Sequence, residues 1–414
     1  MQGVDEDRAI ADLRTLARFG KAGTGVNRPA LSDADLEARE WLRARMAEAG
    51  LEAAIDGLGN VFGRAPRARA AVLLGSHSDS VPNGGWLDGA LGVVFALEVA
   101  RARQATQPDA AIGVDAIAFA DEEGTFLACA GSRSFCGALA PEELEKARNP
   151  AQERLADRLR DLGLSGRPLA RLDCERHRAF LEAHIEQGPR LIESGVEIGV
   201  VAGIVGLRRR RVRFEGQADH AGTTPMAMRR DAGLAMHAFA VAAAETLRAA
   251  GSEDSVWNFG VVSVKPGAAN VVPDDAEIVV EFRDLSTAVM NRMDEALKAL
   301  IAERDGAAGV RVTSATIGEI EPSLMDERLI ARIEAAADRE GARRQRMQSG
   351  AGHDAMIVGR RIPAAMLFVP SIGGRSHHVS EDTDEKDIRR GLRVYARAAQ
   401  SILEAIEPDG QGPL

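Results

Sequence analysis

The sequence predicts an α/β protein in two parts, and three observations predict it. The chain has 414 residues, more than a single hydrophobic core usually serves. Two short apolar runs, Ala70 to Gly75 and Ile112 to Ala120, each end in a polar cluster. The clusters are Ser76-His77-Ser78-Asp79-Ser80 and Asp121-Glu122-Glu123-Gly124. Runs of that length suit buried strands, and ligand groups commonly lie beyond the carboxyl ends of strands in α/β sheets. The middle of the chain then reads strand-helix-strand-strand-helix-strand, the pattern of a small inserted sandwich with a mixed or antiparallel sheet.

The elements follow in order. Ala9 to Phe19 and Ser32 to Ala49 read as helices, the second with Ser32 and Asp35 as a capping pair. Ala53 to Val61 reads as a strand and turn, and Asp88 to Arg103 as a helix with Asp88 at its start. In the insert, Arg209 to Gly216 reads as an edge or exposed strand. Arg230 to Ala250 and Ser286 to Ala302 read as helices. Trp257 to Val264, Ala276 to Arg283 and Val310 to Thr316 read as strands. Asp326 to Glu340 resumes as helix, Ala364 to Val369 as buried strand, and Asp387 to Ile406 as a terminal amphipathic helix. The tail Asp409 to Leu414 reads as frayed.

Composition narrows the function. Charged residues sum to −10, against a generic nucleic-acid binder. The Arg208 to Arg211 run with Arg213 reads as a solvated strand surface, not a phosphate track. Three cysteines without a C-x-x-C pair exclude a disulfide scaffold and a thiolate zinc knuckle. The start, Met1-Gln2-Gly3-Val4-Asp5-Glu6-Asp7, lacks a basic region followed by an apolar run, and no apolar stretch is long enough to span a bilayer. A cytoplasmic protein with no membrane partner is the expectation.

Imidazoles and carboxylates gather at element ends: His77, Asp79, Asp88, Glu122, Glu123, His184, Glu186, His220, His353, Asp354, His377 and His378. Such donors suit zinc, manganese or cobalt. An i,i+2 pair on a strand shares a face, so Asp79 is placed to orient a ligating His77. Each motif alone has an ordinary reading: a hydrogen-bonded loop for His77-x-Asp79, a solvated turn for Glu122-Glu123, a helix cap for Asp88.

In combination and in order, the motifs resemble metallopeptidase family M20, and within it the amidase branch of N-carbamoyl-L-amino-acid hydrolases and allantoate amidohydrolases. The resemblance rests on His77-Ser78-Asp79-Ser80 with Gly84-Gly85-Trp86-Leu87-Asp88-Gly89, on Asp121-Glu122-Glu123-Gly124, and on Gly131-Ser132-Arg133. It continues through His184-Ile185-Glu186-Gln187-Gly188-Pro189 and Asp219-His220-Ala221-Gly222-Thr223-Thr224-Pro225. Asn270-Val271-Val272-Pro273, Arg283-Asp284, Ser349-Gly350-Ala351-Gly352-His353-Asp354 and Gly374-Arg375-Ser376-His377 complete it.

The resemblance implies a zinc-peptidase-like catalytic domain, residues 1–206 and 320–414, with an inserted lid and dimerisation domain, residues 207–319, and a homodimer. It implies two divalent ions (Zn, Mn or Co). Asp88 would bridge them, with His77 and His184 completing one set and Glu123 and His377 the other. Glu122 would be the general base, and Asp79 would hold His77. His220 would stabilise an oxyanion, and Arg283 would clamp a carboxylate. Gln187, Asn270 and Gly352 would contact substrate. The implied reaction is hydrolysis of the ureido group of an N-carbamoyl-L-amino acid. Allantoate hydrolysis is the alternative, and an N-acyl-amino-acid hydrolase or dipeptidase is more distant. A metal-binding scaffold without catalysis remains, and the base at Glu122 argues against it.

Overall fold

The computed structural model describes residues 1–406; the tail expected to fray lies outside them. The chain forms two compact units, Gly203–Leu324 and everything on either side of it. The crossings fall at 202/203 and 324/325, against the expected 206/207 and 319/320.

After a short hairpin of Lys21–Ala22 with Gly25–Val26, six further strands precede or reach the first crossing: β1 (Glu52–Ile55), β2 (Val61–Arg64), β3 (Ala70–His77), β4 (Ile112–Phe119), β5 (His177–Ile185) and β6 (Ile198–Ile204). The second unit holds β7 (Gly206–Glu215), β8 (Val256–Lys265), β9 (Asp275–Asp284) and β10 (Arg311–Ile320). The chain returns through β11 (Arg344–Ser349) and β12 (Ala364–Val369).

In the first unit the strands run in the order β6-β12-β5-β3-β4-β2-β1. The four central strands, β12, β5, β3 and β4, are mutually parallel, and the flanking pairings are antiparallel. Every residue of β3, β4 and β12 is buried, as a sheet covered on both faces requires. Helix Ala90–Thr106 is apolar nearly all round because it lies inside the unit. The terminal helix Glu385–Ala405 buries one face, and its Tyr395 hydroxyl donates to the Leu181 carbonyl at 2.8 Å. The expected Ser32 cap forms, accepting from the Asp35 N–H at 3.2 Å. The Asp88 cap does not: Gly89 is the N-cap of Ala90–Thr106, and the Asp88 carboxylate is free for other work.

The second unit is a four-stranded antiparallel sheet in the order β8-β9-β7-β10. Helices Ala232–Ala250 and Thr287–Arg304 pack on it, burying Phe214, Phe239, Phe282, Met236 and Met293. One expectation is corrected here. The arginine-rich strand β7 is not an edge; it lies between β9 and β10. Its arginines are matched across the sheet and by the helix. Arg209 pairs with Glu281, Arg211 with Glu277 at 3.1 Å, Arg208 with Glu319 at 3.0 Å, and Arg210 with Asp294 at 2.6 Å. Cross-strand opposite charges line the solvated face of this interior strand, on which Arg211 and Arg213 are exposed as expected.

One buried ionic cluster locks the centre of the first unit. Asp115, in the middle of β4, is fully buried and takes a two-pronged contact from Arg176 at 2.7 and 2.9 Å. It also accepts from the Ala65 N–H at 2.8 Å and faces His177 at 3.2 Å. Removing the carboxylate strands a buried guanidinium. Asp115→Ala is therefore expected to lower unfolding free energy by about 3–5 kcal/mol in urea titration. A loss well under about 1 kcal/mol would show that the cluster is solvated.

Candidate metal centre

Strand register assembles the site. Leu73 pairs with Phe180 and Leu74 with Leu181, and continuing that parallel register carries His77, the last residue of β3, level with His184 near the end of β5. The two imidazole centroids are 5.7 Å apart. Glu122 and Glu123 follow β4, and His377 follows β12. All four segments leave the carboxyl ends of the parallel strands, where an α/β sheet places its ligands.

Asp88 sits among them. It is buried, on the loop that ends at Gly89. Gly89 has φ +63°, and a Cβ there would meet the His77 ring at 2.4–2.5 Å, so only glycine lets the loop pass the imidazole. Asp88 Oδ1 lies 3.0 Å from His184 Nε2 and 3.6 Å from His77 Nε2. Asp88 Oδ2 lies 3.4 Å from His377 Nε2, which is itself 3.4 Å from Glu123 Oε2. Two groups of ligand atoms result, His77–Asp88–His184 and Asp88–Glu123–His377, each within 4.8 Å and both containing Asp88. The first set is wholly buried; the second is partly open through His377.

The donor chemistry calls for cations. His184 Nδ1 donates to the Ile185 carbonyl at 2.9 Å, and its Nε2 accepts from the Gly89 N–H at 3.2 Å. The same Nε2 lies 3.0 Å from Asp88 Oδ1, a contact that either a proton on the imidazole or a cation shared by the two groups would satisfy. His77 is arranged alike, its Nδ1 3.1 Å from the Asp79 carbonyl. Glu123 Oε1 is buried without a hydrogen-bond partner. These residues fit divalent ions of the zinc, manganese or cobalt type.

The field at the site is strongly negative. Burial draws His77 down, but Glu122, Asp88 and Asp79 outweigh it and hold the imidazole well above its ordinary value. The hydrogen bond to Asp88, with Glu123 nearby, lifts His377 to about 9. Burial, with Asp88, lifts Glu123 to about 7. Burial also pushes Glu122 well above the usual carboxyl value, against the pull of His77.

Each expected residue has a definite place. Glu122 Oε2 is 3.7 Å from His77 Nε2, facing the first set, while Glu123 faces the second. Asp121, at φ +54°, makes that split possible by capping the turn through the Phe126 and Leu127 N–H groups at 3.1 and 2.8 Å. Asp79 holds His77 through its backbone carbonyl; its carboxylate accepts from the Glu123 N–H at 3.3 Å and lies 3.7 Å from buried Arg39. Gln187, at φ +59°, places Nε2 3.1 Å from Asp88 Oδ2 and 3.4 Å from His377 Nε2. His378 turns to Ser380 at 2.7 Å and joins neither set. His353 stacks edge-on against His184 with ring centroids 4.5 Å apart, and burial holds its pKa well below the ordinary value. Gly352 is exposed on the same loop.

The remaining three residues belong to the second unit. His220 and Asn270 are neighbours there: the Ala221 N–H donates to the Asn270 carbonyl at 3.0 Å, and His220 bridges Val271. His220 Nδ1 accepts from the Gly222 and Thr223 N–H groups at 3.1 Å each, which leaves Nε2 carrying the proton. Arg283 lies near the other end of β9, paired with Glu281 at 2.8 Å. Eight residue steps along the strand separate Asp275 from Arg283, roughly 26 Å. The structure does not bring Arg283 and His220 together within this unit.

Sequence reasoning missed Arg39, Ser376 and Glu381. Arg39 is fully buried, pairs with Asp35 at 2.7 Å and supports Asp79. Its only signal is the i,i+4 spacing from Asp35. Ser376 Oγ reaches Asp88 Oδ2 at 3.2 Å. Glu381 is buried beside Asp88, and burial and that neighbour raise its pKa to about 7. Nothing in the local sequence marks it.

Comparison with known proteins agrees with this geometry. A sheet with buried parallel strands and two carboxylate-linked ligand sets at its carboxyl edge forms the candidate metal-binding site of a hydrolase of the α/β class. Residues 73–401 match the model of peptidase family M20/M25/M40, and the chain belongs to that family. It is an amide-hydrolysing enzyme of the family. It is 33% identical to an N-carbamoyl-L-amino-acid amidohydrolase of Paenarthrobacter aurescens, over 97% of this chain and 99% of that one. It is 35% identical to the allantoate amidohydrolase of Escherichia coli, over 93% and 95%. A crystal structure of an amidase (hydantoinase/carbamoylase family) from Burkholderia phymatum superposes with a TM-score of 0.92 at 45% identity, covering 98% and 99% of the two chains. Among the described residues no helix is long and apolar enough to cross a membrane.

Protons and metal compete for the same lone pairs. With His377 lifted to about 9 and Glu123 to about 7, binding at the second set must expel protons. Apparent affinity is therefore expected to rise between about pH 6 and 8, with net proton release. Calorimetry in buffers of different ionisation enthalpy reads both. Affinity flat in pH, with no protons released, would contradict the assignment.

Proposed function

We propose that the protein hydrolyses the ureido group of N-carbamoyl-L-amino acids to the L-amino acid, ammonia and carbon dioxide. The observation that carries the hydrolytic reading is Asp88 shared between two ligand sets with Glu122 beside them. The substrate class is supported by the carbamoyl-amino-acid amidohydrolase relative and the carbamoylase-family structure. Allantoate is the second reading, favoured by the relative at 35% identity. Both substrates are ureido carboxylates and ask for the same groups.

Two divalent ions held by His77, Asp88, His184, Glu123 and His377 would polarise the carbonyl and acidify a water. The chain's own residues do the rest. Glu122 takes the proton of the attacking water and returns it to the departing nitrogen; its raised pKa suits a group that must hold a proton and release it. The Nε2–H of His220 donates to the oxyanion as the carbonyl becomes tetrahedral. Arg283 pairs with the substrate carboxylate, Asn270 and Gln187 bind its polar groups, and Gly352 borders it. His220 and Arg283 lie farther apart within one second unit than a small ureido acid spans. In this reading one copy supplies His220 and another Arg283, so the working form is a homodimer. The expected compartment is the cytoplasm.

Glu122→Gln is expected to cut kcat by at least about 10²–10⁴-fold while both ions still bind, measured by ammonia release and metal analysis. Undiminished turnover would remove Glu122 from the mechanism. Among substrates, N-carbamoyl-L-amino acids are expected to outrun allantoate, their D isomers and N-acetyl amino acids in kcat/KM. Preference for allantoate would promote the second reading, and preference for N-acetyl amino acids would overturn both.

A further inference from the structure

We infer that Glu381 is a positioning residue of the metal centre, a clamp that fastens the Asp88 loop to the His377 loop and so sets the geometry of the second ligand set. The inference rests on the two-ion reading above. Glu381 contacts no ligand atom; it reaches the sets through the Asp88 backbone and the Ser376 hydroxyl.

Its carboxylate works in two directions. Oε1 accepts from the backbone N–H groups of Leu87 at 3.3 Å and Asp88 at 3.1 Å. These are the last peptide groups before the bridging carboxylate, so holding them holds the Asp88 side chain's origin. Oε2 accepts from the Ser376 hydroxyl at 3.0 Å. Ser376 immediately precedes His377. The Glu381 N–H donates to the His378 carbonyl at 2.9 Å, closing the turn that contains His377's neighbour. A second tie runs alongside, from the Trp86 indole N–H to Asp382 at 3.2 Å. Segments nearly 300 residues apart in sequence are thus joined through one buried carboxylate, 1% exposed.

Gly85 shows how closely the two loops are fitted. A Cβ at Gly85 would lie 1.8 Å from Glu381 Oε1. No other residue fits at position 85 while the carboxylate stays in place. Gly85 has no left-handed φ, so the requirement comes from Glu381 and not from backbone conformation.

The Ser376 hydroxyl gives the clamp its link to metal. It lies 3.2 Å from Asp88 Oδ2 and 3.0 Å from Glu381 Oε2, with one proton for two carboxylates. A cation drawing on Asp88 Oδ2 leaves that proton to Glu381 alone, so filling the second set and tightening the clamp favour each other. The first set, His77–Asp88–His184, contains no residue of the His377 loop, so it feels the clamp only through the Asp88 backbone, while the second set depends on it at both Asp88 and His377.

The test is a cobalt titration of metal-free full-length protein, read by visible absorption and equilibrium dialysis. The parent chain should take two equivalents. In Glu381→Ala the second equivalent should bind about 10- to 100-fold more weakly, the usual cost of losing a group that orients a ligand, while the first, which shares only Asp88 with the clamp, weakens several-fold less. Glu381→Gln keeps an oxygen for the two N–H groups and should recover most of the loss. Gly85→Ala should reproduce the Glu381→Ala loss in the parent, and add nothing in a Glu381→Ala background, where the carboxylate it displaces is gone. If Glu381→Ala does not fold, Gly85→Ala set against Glu381→Gln decides. Wild-type binding of the second equivalent in Gly85→Ala would overturn the clamp. So would equal weakening of both equivalents in Glu381→Ala, which marks a general structural role. A parent chain that takes fewer than two equivalents would overturn the two-ion reading itself.

Discussion

Asp88 is a buried carboxylate whose two oxygens face three imidazoles from three separate segments of the chain. A lone carboxylate taken out of water is costly unless cations meet it. Here the His77, His184 and His377 imidazoles hold Asp88 well below its usual pKa against the opposing effect of burial. Much else in the first unit follows from placing that group. Gly89 lets the loop pass the His77 ring, and the free Asp88 side chain leaves the following helix without a side-chain cap. The parallel register of β3 and β5 brings His77 and His184 level on its far side.

Around this centre the fold spends buried polar groups on orientation. Asp79 offers a carbonyl to His77 and a carboxylate to the Glu123 N–H, and Arg39 with Asp35 stands behind it. His353, kept neutral by burial, packs against His184. Ser376 and Gln187 converge on the second oxygen of Asp88. Fixed partners of this kind set ligand direction and basicity, which ligand identity alone does not. The two sets differ in consequence: one is sealed, and the other opens through His377. A sealed ligand set beside a reachable one suits a site that must be enclosed and still admit a substrate.

Legibility in the sequence divided along physical lines. Ala364–Val369 matched its expected bounds because a fully buried parallel strand is a continuous apolar run with turn signals on both sides. Ser32 was readable as a cap because capping depends on residues three apart. The arginines of β7 marked a solvated face, as Arg211 and Arg213 are, but not the strand's place inside the sheet. The acids that neutralise them lie on β9, on β10 and on the helix Thr287–Arg304, far away in sequence. Asp88 has the local appearance of a cap, and only the placement of His77, His184 and His377 shows its use. Glu381 carries no local signal, since its partners are backbone N–H groups nearly 300 residues away.

The sequence by itself determined the α/β class and the presence of an insert, because strand periodicity and turn chemistry are local properties, and the candidate ligand residues came from the resemblance that the ordered motifs carry. Only the tertiary structure decided which oxygen of Asp88 faces which imidazole and that Glu122 and Glu123 face different ligand sets. It alone placed His220 and Arg283 at opposite ends of one sheet. Those facts depend on strand register and on chain segments meeting across hundreds of residues, and pairing of that kind is set by the packing of the whole unit.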